Sequence, residues 1–573
     1  MNRSILRRAR RIILHPLVFA TFPILSLFVQ NMGKGYLREA LLITAGALVL
    51  CLVLWVLVNL LVKDAARSAI LVSAFFLLFL SFGHALSAAT AILNQVGLLD
   101  RWWVLIHGSA ADIGWLILWS LLFAAVAFYV LSRLKNVRMA TDLLNVVSLA
   151  LVLMIVVNFF AADGFQIYVK PHLDDFSHSA AEANAGPDTE FLARIVQRVY
   201  FPIIRRDPTD ETAVPTYGHV WLEPSPPQVS APSERPDIYY IILDMYARSD
   251  ILRDLYDYDN SDFLAFLEET GFYVARESTA NYPYTTHSLA SSLNYMYIDE
   301  VVEQVGQISG HNLSAAMIGN SRLFDYLSDQ GYTTVTFATG YWFTELKDSD
   351  IYLAPAEVPW DPSEFQVGLI ELTPLSKIAA VHATKDQIDR RRVLFTLDHL
   401  ADATELDAPT LVFAHINAPH DPWVFGADGR PVASKDGYTY DEYVEAYREQ
   451  VAFVSWRAQQ AIEEILSRSA TPPIIVLQSD HGACYGPYEE HLAQRMSILN
   501  AIYFPDQGYE DLYQTISPVN TYRVVLNRFL GTDYELLEDR NYYSSLEYPY
   551  DFVDVTGKVS SDGLEPAEGQ QIP

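Results

Sequence analysis

Long apolar runs dominate the first 165 residues. Five of them, Ile12–Gln30, Ala40–Val62, Ala69–Ala89, Ile113–Leu131 and Leu143–Ala162, are long enough as helices to cross a hydrocarbon layer of about 30 Å. Helices of a globular core rarely come five in succession with so little charge inside them, and a cleaved leader would be followed by a polar chain, not by four more such runs. The pattern predicts a five-helix transmembrane unit over residues 1–165. From Asp163 the pattern changes. Phe191–Arg206 sets apolar residues at helical spacing among four arginines, which suits either a helix lying on lipid head groups or one packed on a folded domain. Pro224, Pro226, Pro227, Pro232 and Pro236 then make a stiff spacer, so residues 166–235 read as a linker. Beyond it, Ile238–Leu243, Thr333–Ala338, Thr410–Ala414 and Ile474–Gln478 are short apolar runs of the kind buried in a parallel sheet, separated by amphipathic stretches such as Tyr440–Arg468. These predict an α/β domain with a mainly parallel central sheet over residues 236–556, followed by a polar tail, 557–573.

Charge divides the chain at the same place. The 573 residues carry a net charge of −30, yet the first 165 hold thirteen Lys and Arg against six Asp and Glu. That third is basic, and the remainder carries −37. A domain this acidic does not hold nucleic acid, whose phosphates need Lys and Arg fields. Ten positive residues flank one set of helix ends (Arg3, Arg7, Arg8, Arg10, Arg11, Lys63, Arg67, Arg133, Lys135, Arg138) and three the other (Lys34, Arg38, Arg101). The positive-inside rule therefore puts the N-terminus in the cytoplasm, and an odd number of spans delivers the acidic domain outside the plasma membrane. The two cysteines, Cys51 and Cys484, build neither a disulfide framework nor a thiolate zinc site.

Candidate chemistry gathers where the strands end, which is where α/β sheets place functional groups. The first strand ends in Asp244. The third runs into His415-Ile-Asn-Ala-Pro-His420, and the fourth into Ser479-Asp480-His481-Gly482. A single Asp after a strand is usually a turn former and a lone His a surface residue, but several strand ends converging on carboxylates and imidazoles suit a divalent cation such as Zn²⁺ or Mn²⁺. In Asn281-Tyr-Pro-Tyr-Thr285-Thr286-His287-Ser288, a hydroxyl at a helix start is either a cap or a nucleophile facing bound phosphate. Coordination to a metal makes such a hydroxyl easier to deprotonate.

Taken together, Ile-Leu-Asp244, Asn-Tyr-x-x-Thr285-x-x-Ser-Leu-Ala-Ser, His415-x-x-x-Pro-His420 and Ser-Asp480-His481-Gly resemble the alkaline phosphatase/sulfatase superfamily. The spans and linker make the chain similar to its membrane-anchored sulfatase-like group, which includes lipoteichoic acid synthases and lipid A phosphoethanolamine transferases. The resemblance implies that Asp244, Thr285, Asp480 and His481 hold one divalent metal, Mn or Zn with Mg as a third choice. It also implies that Thr285 is the covalent nucleophile and that His415, His420 and His491 face the substrate. It implies a phospholipid donor and a glycan or lipid acceptor beside the membrane, with hydrolysis of phosphate or sulfate esters as the alternative. A non-catalytic binding or assembly role is a further alternative from another class. The first ligand is often Glu in the transferases and is Asp244 here, which leaves the branch open. The C-x-P-x-R segment of sulfatases that mature a cysteine is absent, because Cys484 sits in Cys-Tyr-Gly-Pro.

Overall fold

The computed structural model of the chain describes residues 13–31, 36–95, 109–161, 235–299, 301–302, 312–355, 363–435, 438–483, 491–546 and 548–559. The juxtamembrane segment 191–206, nearly all of the 166–235 linker, Cys484 and most of the polar tail lie outside the described residues.

The apolar N-terminal region is helical. Leu37–Val62, Ile113–Ser132 and Val137–Phe159 are each long and apolar enough to cross a membrane, and only 6%, 6% and 11% of their most apolar stretches are buried. Ala65–Phe79 and Phe82–Ala89 pass only as one span, bent by 48°. His15–Gln30 is a shorter apolar helix of sixteen residues with Pro23 inside it. By length and composition the described residues therefore offer three spans, or four with the bent pair, where apolar runs alone predicted five. The difference has a physical source: summed hydropathy does not register the break at Leu80 and Ser81, and the described first helix begins at His15. Within the bundle His15 Nδ1 meets Ser73 Oγ at 2.6 Å, a satisfied polar contact of the kind that apolar surroundings demand.

The outer region is built on a seven-stranded sheet in the order β2-β7-β6-β1-β5-β3-β4. The strands are β1 (Ile238–Leu243), β2 (Tyr273–Val274), β3 (Thr333–Phe337), β4 (Ile351–Leu353), β5 (Thr410–Ile416), β6 (Ile474–Gln478) and β7 (Asn500–Tyr503). At the centre β1 pairs in parallel with both β5 and β6, while β7 runs antiparallel to β6 and to β2. Every residue of β1, β5 and β6 is buried. Alternation along β1 sends Tyr239, Ile241 and Leu243 into one apolar layer and Ile238, Tyr240 and Ile242 into the other, as a strand covered on both faces requires. The Tyr440–Arg468 helix covers the first layer, its start fixed by a capping box between Thr439 and Glu442. The Thr285–Asn294 and Pro518–Leu530 helices cover the second.

Candidate metal centre

Three chain segments leave the carboxyl edge of the sheet and meet. Asp244 follows β1 directly, and the residue after it, Met245, takes a left-handed backbone with φ 69°. This conformation costs a non-glycine residue about 1 kcal/mol or more. The turn aims the Met245 N–H at Asp480 Oδ1, 3.1 Å away. Asp480 and His481 follow β6, where the next residue must be small: a Cβ on Gly482 would lie 2.3 Å from the Gln494 carbonyl oxygen and 2.5 Å from that of Ser497. The Thr285–Asn294 helix supplies the third segment.

Ligand atoms of Asp244, Asp480 and His481 all lie within 4.8 Å of one another. His481 Nε2 is 3.7 Å from Asp244 Oδ1 and 3.3 Å from Asp480 Oδ2. Those two carboxylate oxygens are buried and have no hydrogen-bond partner, a costly arrangement unless a cation completes it. Thr285 Oγ1 lies 3.1 Å from the same His481 Nε2. Thr285 is partly exposed as a residue, whereas its hydroxyl-bearing neighbours belong to the interior. Thr286 is buried, and Ser288 donates to the carbonyls of Asp480 and Tyr282 at 2.6 and 3.2 Å. Carboxylate, imidazole and hydroxyl donors in this arrangement fit a divalent ion of the zinc or manganese type.

The charges are strongly coupled. Burial alone would raise the Asp244 carboxyl, but His420, His415 and His481 outweigh it and hold Asp244 below the usual carboxylate range. Asp480 is pushed up to about 6, first by burial and then by the charge on Asp244. Burial, helped by the Arg495 guanidinium, holds His481 well below an ordinary histidine, which favours the neutral imidazole that a metal needs. Burial works against the charged form of His420, yet Asp244 and Asp421 overcome it and raise that group.

The remaining sequence candidates separate. His415 is fully buried at the end of β5, with Nε2 3.2 Å from Asp244 Oδ2 and Nδ1 3.1 Å from Thr344 Oγ1; both ring nitrogens are occupied behind the ligand set. His420 is partly exposed, its ring 6.2 Å from that of His481. His491 Nδ1 faces the Gln494 amide at 3.3 Å, and among the described residues no hydrogen bond or ion pair joins it to the cluster. Two residues that strand-end reasoning passes over complete the surroundings. Arg495 is buried and donates to the carbonyls of Pro283 and Gly482 at 2.8 and 3.1 Å, with its third nitrogen 3.0 Å from His481 Nε2; it ties the Thr285 turn to the His481 turn. Tyr341 packs its ring 6.0 Å from His415 and 6.5 Å from His420.

No family model matches the chain and no curated protein matches it. Solved structures similar to it include the C-terminal periplasmic domain of EptC from Escherichia coli, 13% identical over 57% of this chain and 94% of that one, with a TM-score of 0.39. A second structure of that domain is a complex with Zn. The soluble domain of lipooligosaccharide phosphoethanolamine transferase A from Neisseria meningitidis is 12% identical over 52% of this chain and 89% of that one, with a TM-score of 0.37. The phosphonate monoester hydrolase of Agrobacterium radiobacter is 13% identical over 54% and 80%, with a TM-score of 0.36. Sulfatases are also among the similar structures.

Proposed function

We propose that the chain is a membrane-anchored, metal-dependent phosphotransferase. It moves a phospholipid head group of the phosphoglycerol or phosphoethanolamine type to a cell-envelope glycan or lipid, through a phosphothreonine on Thr285. One observation carries the reading: at the start of its helix, the hydroxyl of the partly exposed Thr285 faces His481 Nε2 beside two buried carboxylate oxygens that lack partners. Asp244, Asp480, His481 and Thr285 would hold the metal, which when bound supplies Lewis-acid polarisation and makes the hydroxyl easier to ionise. The rest is done by the chain itself. The helix start turns backbone N–H groups and the positive end of the dipole toward the phosphoryl group. Arg495 holds the two ligand turns together, His415 orients Asp244, and His420 lies on the open side where a phosphoryl oxygen binds. Thr285 Oγ forms the bond to phosphorus as the bond to the glyceride oxygen breaks. The Thr285 proton is lost and the released diacylglycerol oxygen takes one up; in the second half the acceptor oxygen gives up its proton and bonds to phosphorus as the Thr285 Oγ–phosphorus bond breaks and Thr285 is reprotonated. The division into a membrane unit (1–165), linker (166–235), outer domain (236–556) and tail (557–573), with five crossings, belongs to the same proposal, since a tether keeps the site beside a donor found only in the bilayer.

The purified full chain, incubated with phosphatidylglycerol or phosphatidylethanolamine vesicles and a divalent metal, should release diacylglycerol and carry a phosphoryl adduct on Thr285 by peptide mass spectrometry. Thr285→Ala should abolish both and Thr285→Ser should retain part. An adduct on Thr286, or full turnover by Thr285→Ala, identifies a different nucleophile.

A further inference from the structure

Residues 363–378 of the outer domain pack on the helical bundle, and part of that segment is left exposed. Ser363 opens the Glu364–Glu371 helix with a capping box and also donates its hydroxyl to the Glu39 carboxylate. Phe365 stacks on Tyr36 with ring centroids 5.5 Å apart, and Leu369 packs with Ile24 and Phe28. The Gly83 N–H donates to the Leu372 carbonyl at 3.2 Å. This close approach requires glycine, because a Cβ would lie 2.2 Å from the Glu371 carbonyl oxygen. The turn that follows, Pro374–Lys377, lies against the Phe82–Gln95 and Ser109–Ser132 helices. On and just after this turn, Leu375 and Ile378 are each 41% exposed.

Their height follows from helix geometry. The ascending helix Ala65–Phe79 rises about 22 Å at 1.5 Å per residue, and Gly83 lies just past the 48° bend that follows it. A hydrocarbon core is about 30 Å thick, so the Gly83–Leu372 contact lies in the outer part of the layer that the bundle spans. Two large apolar side chains at that level, beside helices whose own outer faces are apolar, are continuous with the lipid-facing surface. The lysine between them suits the lipid phosphates just above.

We propose that the Pro374–Ile378 turn is a lipid contact of the outer domain, with Leu375 and Ile378 inserted at the boundary between acyl chains and head groups of the outer leaflet. The proposal rests on the bundle crossing a bilayer and not on the chemistry assigned to Thr285. It has a consequence for that chemistry. Trp342 packs on the same docking cluster, and its neighbour Tyr341 packs on His415 and His420, so a single loop joins the lipid-contacting side of the domain to the metal centre.

The test uses the full chain in lipid nanodiscs, with Cys51 and Cys484 replaced by Ser and a nitroxide placed at Leu375→Cys or Ile378→Cys. Leu153→Cys, exposed on a membrane helix, and Leu406→Cys, exposed on the outer domain, are the references. Collisional relaxation by oxygen over that by a water-soluble nickel chelate should be several-fold higher at 375 and 378 than at 406, and close to the value at 153. A ratio like that at 406 means the turn faces water and overturns the proposal. Protection from both reagents means that another protein segment or a second copy of the chain covers the turn, and also overturns it. Should either variant fold poorly, the unaltered chain labelled with a diazirine phospholipid serves instead. Adducts on the 374–378 peptide are expected, and labelling confined to the membrane helices refutes the contact.

Discussion

Asp244, Asp480 and His481 each offer an atom to one small volume, and two of those atoms are buried without partners, an arrangement that suits a cation. Replacing either member of the Asp480–His481 pair with Ala should lower metal affinity by about ten- to a hundredfold or more, the range reached even by losses in the surrounding shell. Elemental analysis of the purified variants checks this, and undiminished metal in both removes the assignment. His415 stands behind the cluster: with Nε2 on Asp244 and Nδ1 on Thr344, it holds the Asp244 carboxylate in place. His415→Ala should therefore weaken metal binding while leaving the KM for a lipid donor little changed, and a rise in KM at unchanged metal content would place His415 on the substrate side after all. Asp244, Asp480 and His481 were legible in the sequence because each follows an apolar run that could only be a central strand. Arg495 and Thr344 were not, since they enter from a short helix and a loop whose approach depends on tertiary packing. Nor does any sequence signal mark a methionine with a left-handed backbone, as at Met245.

At the scale of elements, the sheet was legible where it is most buried. The runs read as β1 and β6 coincide with the strands, and β3 and β5 differ by one or two residues at their ends; continuous burial on both faces leaves no other use for such runs. The strands β2, β4 and β7 have only two to four residues, too few for period-two alternation to register. The Tyr440–Arg468 helix was legible from its amphipathic pattern, and the structure adds a capping box that fixes its start. The β6-to-Gly482 turn is a demanding local element. The Gly482 N–H donates to the Arg495 carbonyl at 2.7 Å, and the Gln494 and Ser497 carbonyls lie where a side chain would go. Since rigid backbone is what a Cβ meets, Gly482→Ala should destabilise the outer domain by about 1–3 kcal/mol, as overpacking does. It should also lower metal affinity by moving His481. Thermal unfolding and metal titration of the variant test this together, and no change in either would mean the turn yields more easily than its contacts imply.

For the whole molecule, charge and contacts point to the same polarity. Arg67 donates to the Val130, Leu131 and Leu134 carbonyls, which gathers the Lys63–Arg67 and Arg133–Arg138 loops at one end of the bundle. A cation there also meets the negative end of the Ser109–Ser132 helix dipole. At the other end Phe28, Tyr36, Ala40 and Phe159 form the cluster that receives Phe365 and Leu369 of the outer domain. The positive loops thus lie on the side of the bundle away from the metal centre, an arrangement the positive-inside rule assigns to the cytoplasm. Were the chain inserted the other way, these arginines and lysines would have to be carried across the bilayer while a domain of strongly negative charge stayed behind. Fusions test the orientation directly. Alkaline phosphatase joined after residue 165 should be active, and joined at Arg133–Arg138 it should be silent, with a cytoplasm-active reporter giving the reverse. Because the docking contacts require Ile24, Phe28, Tyr36, Ala40, Ile155 and Phe159 to share a side with the outer domain, a cytoplasm-active reporter working at position 200 would overturn both the topology and the lipid-facing site built on it.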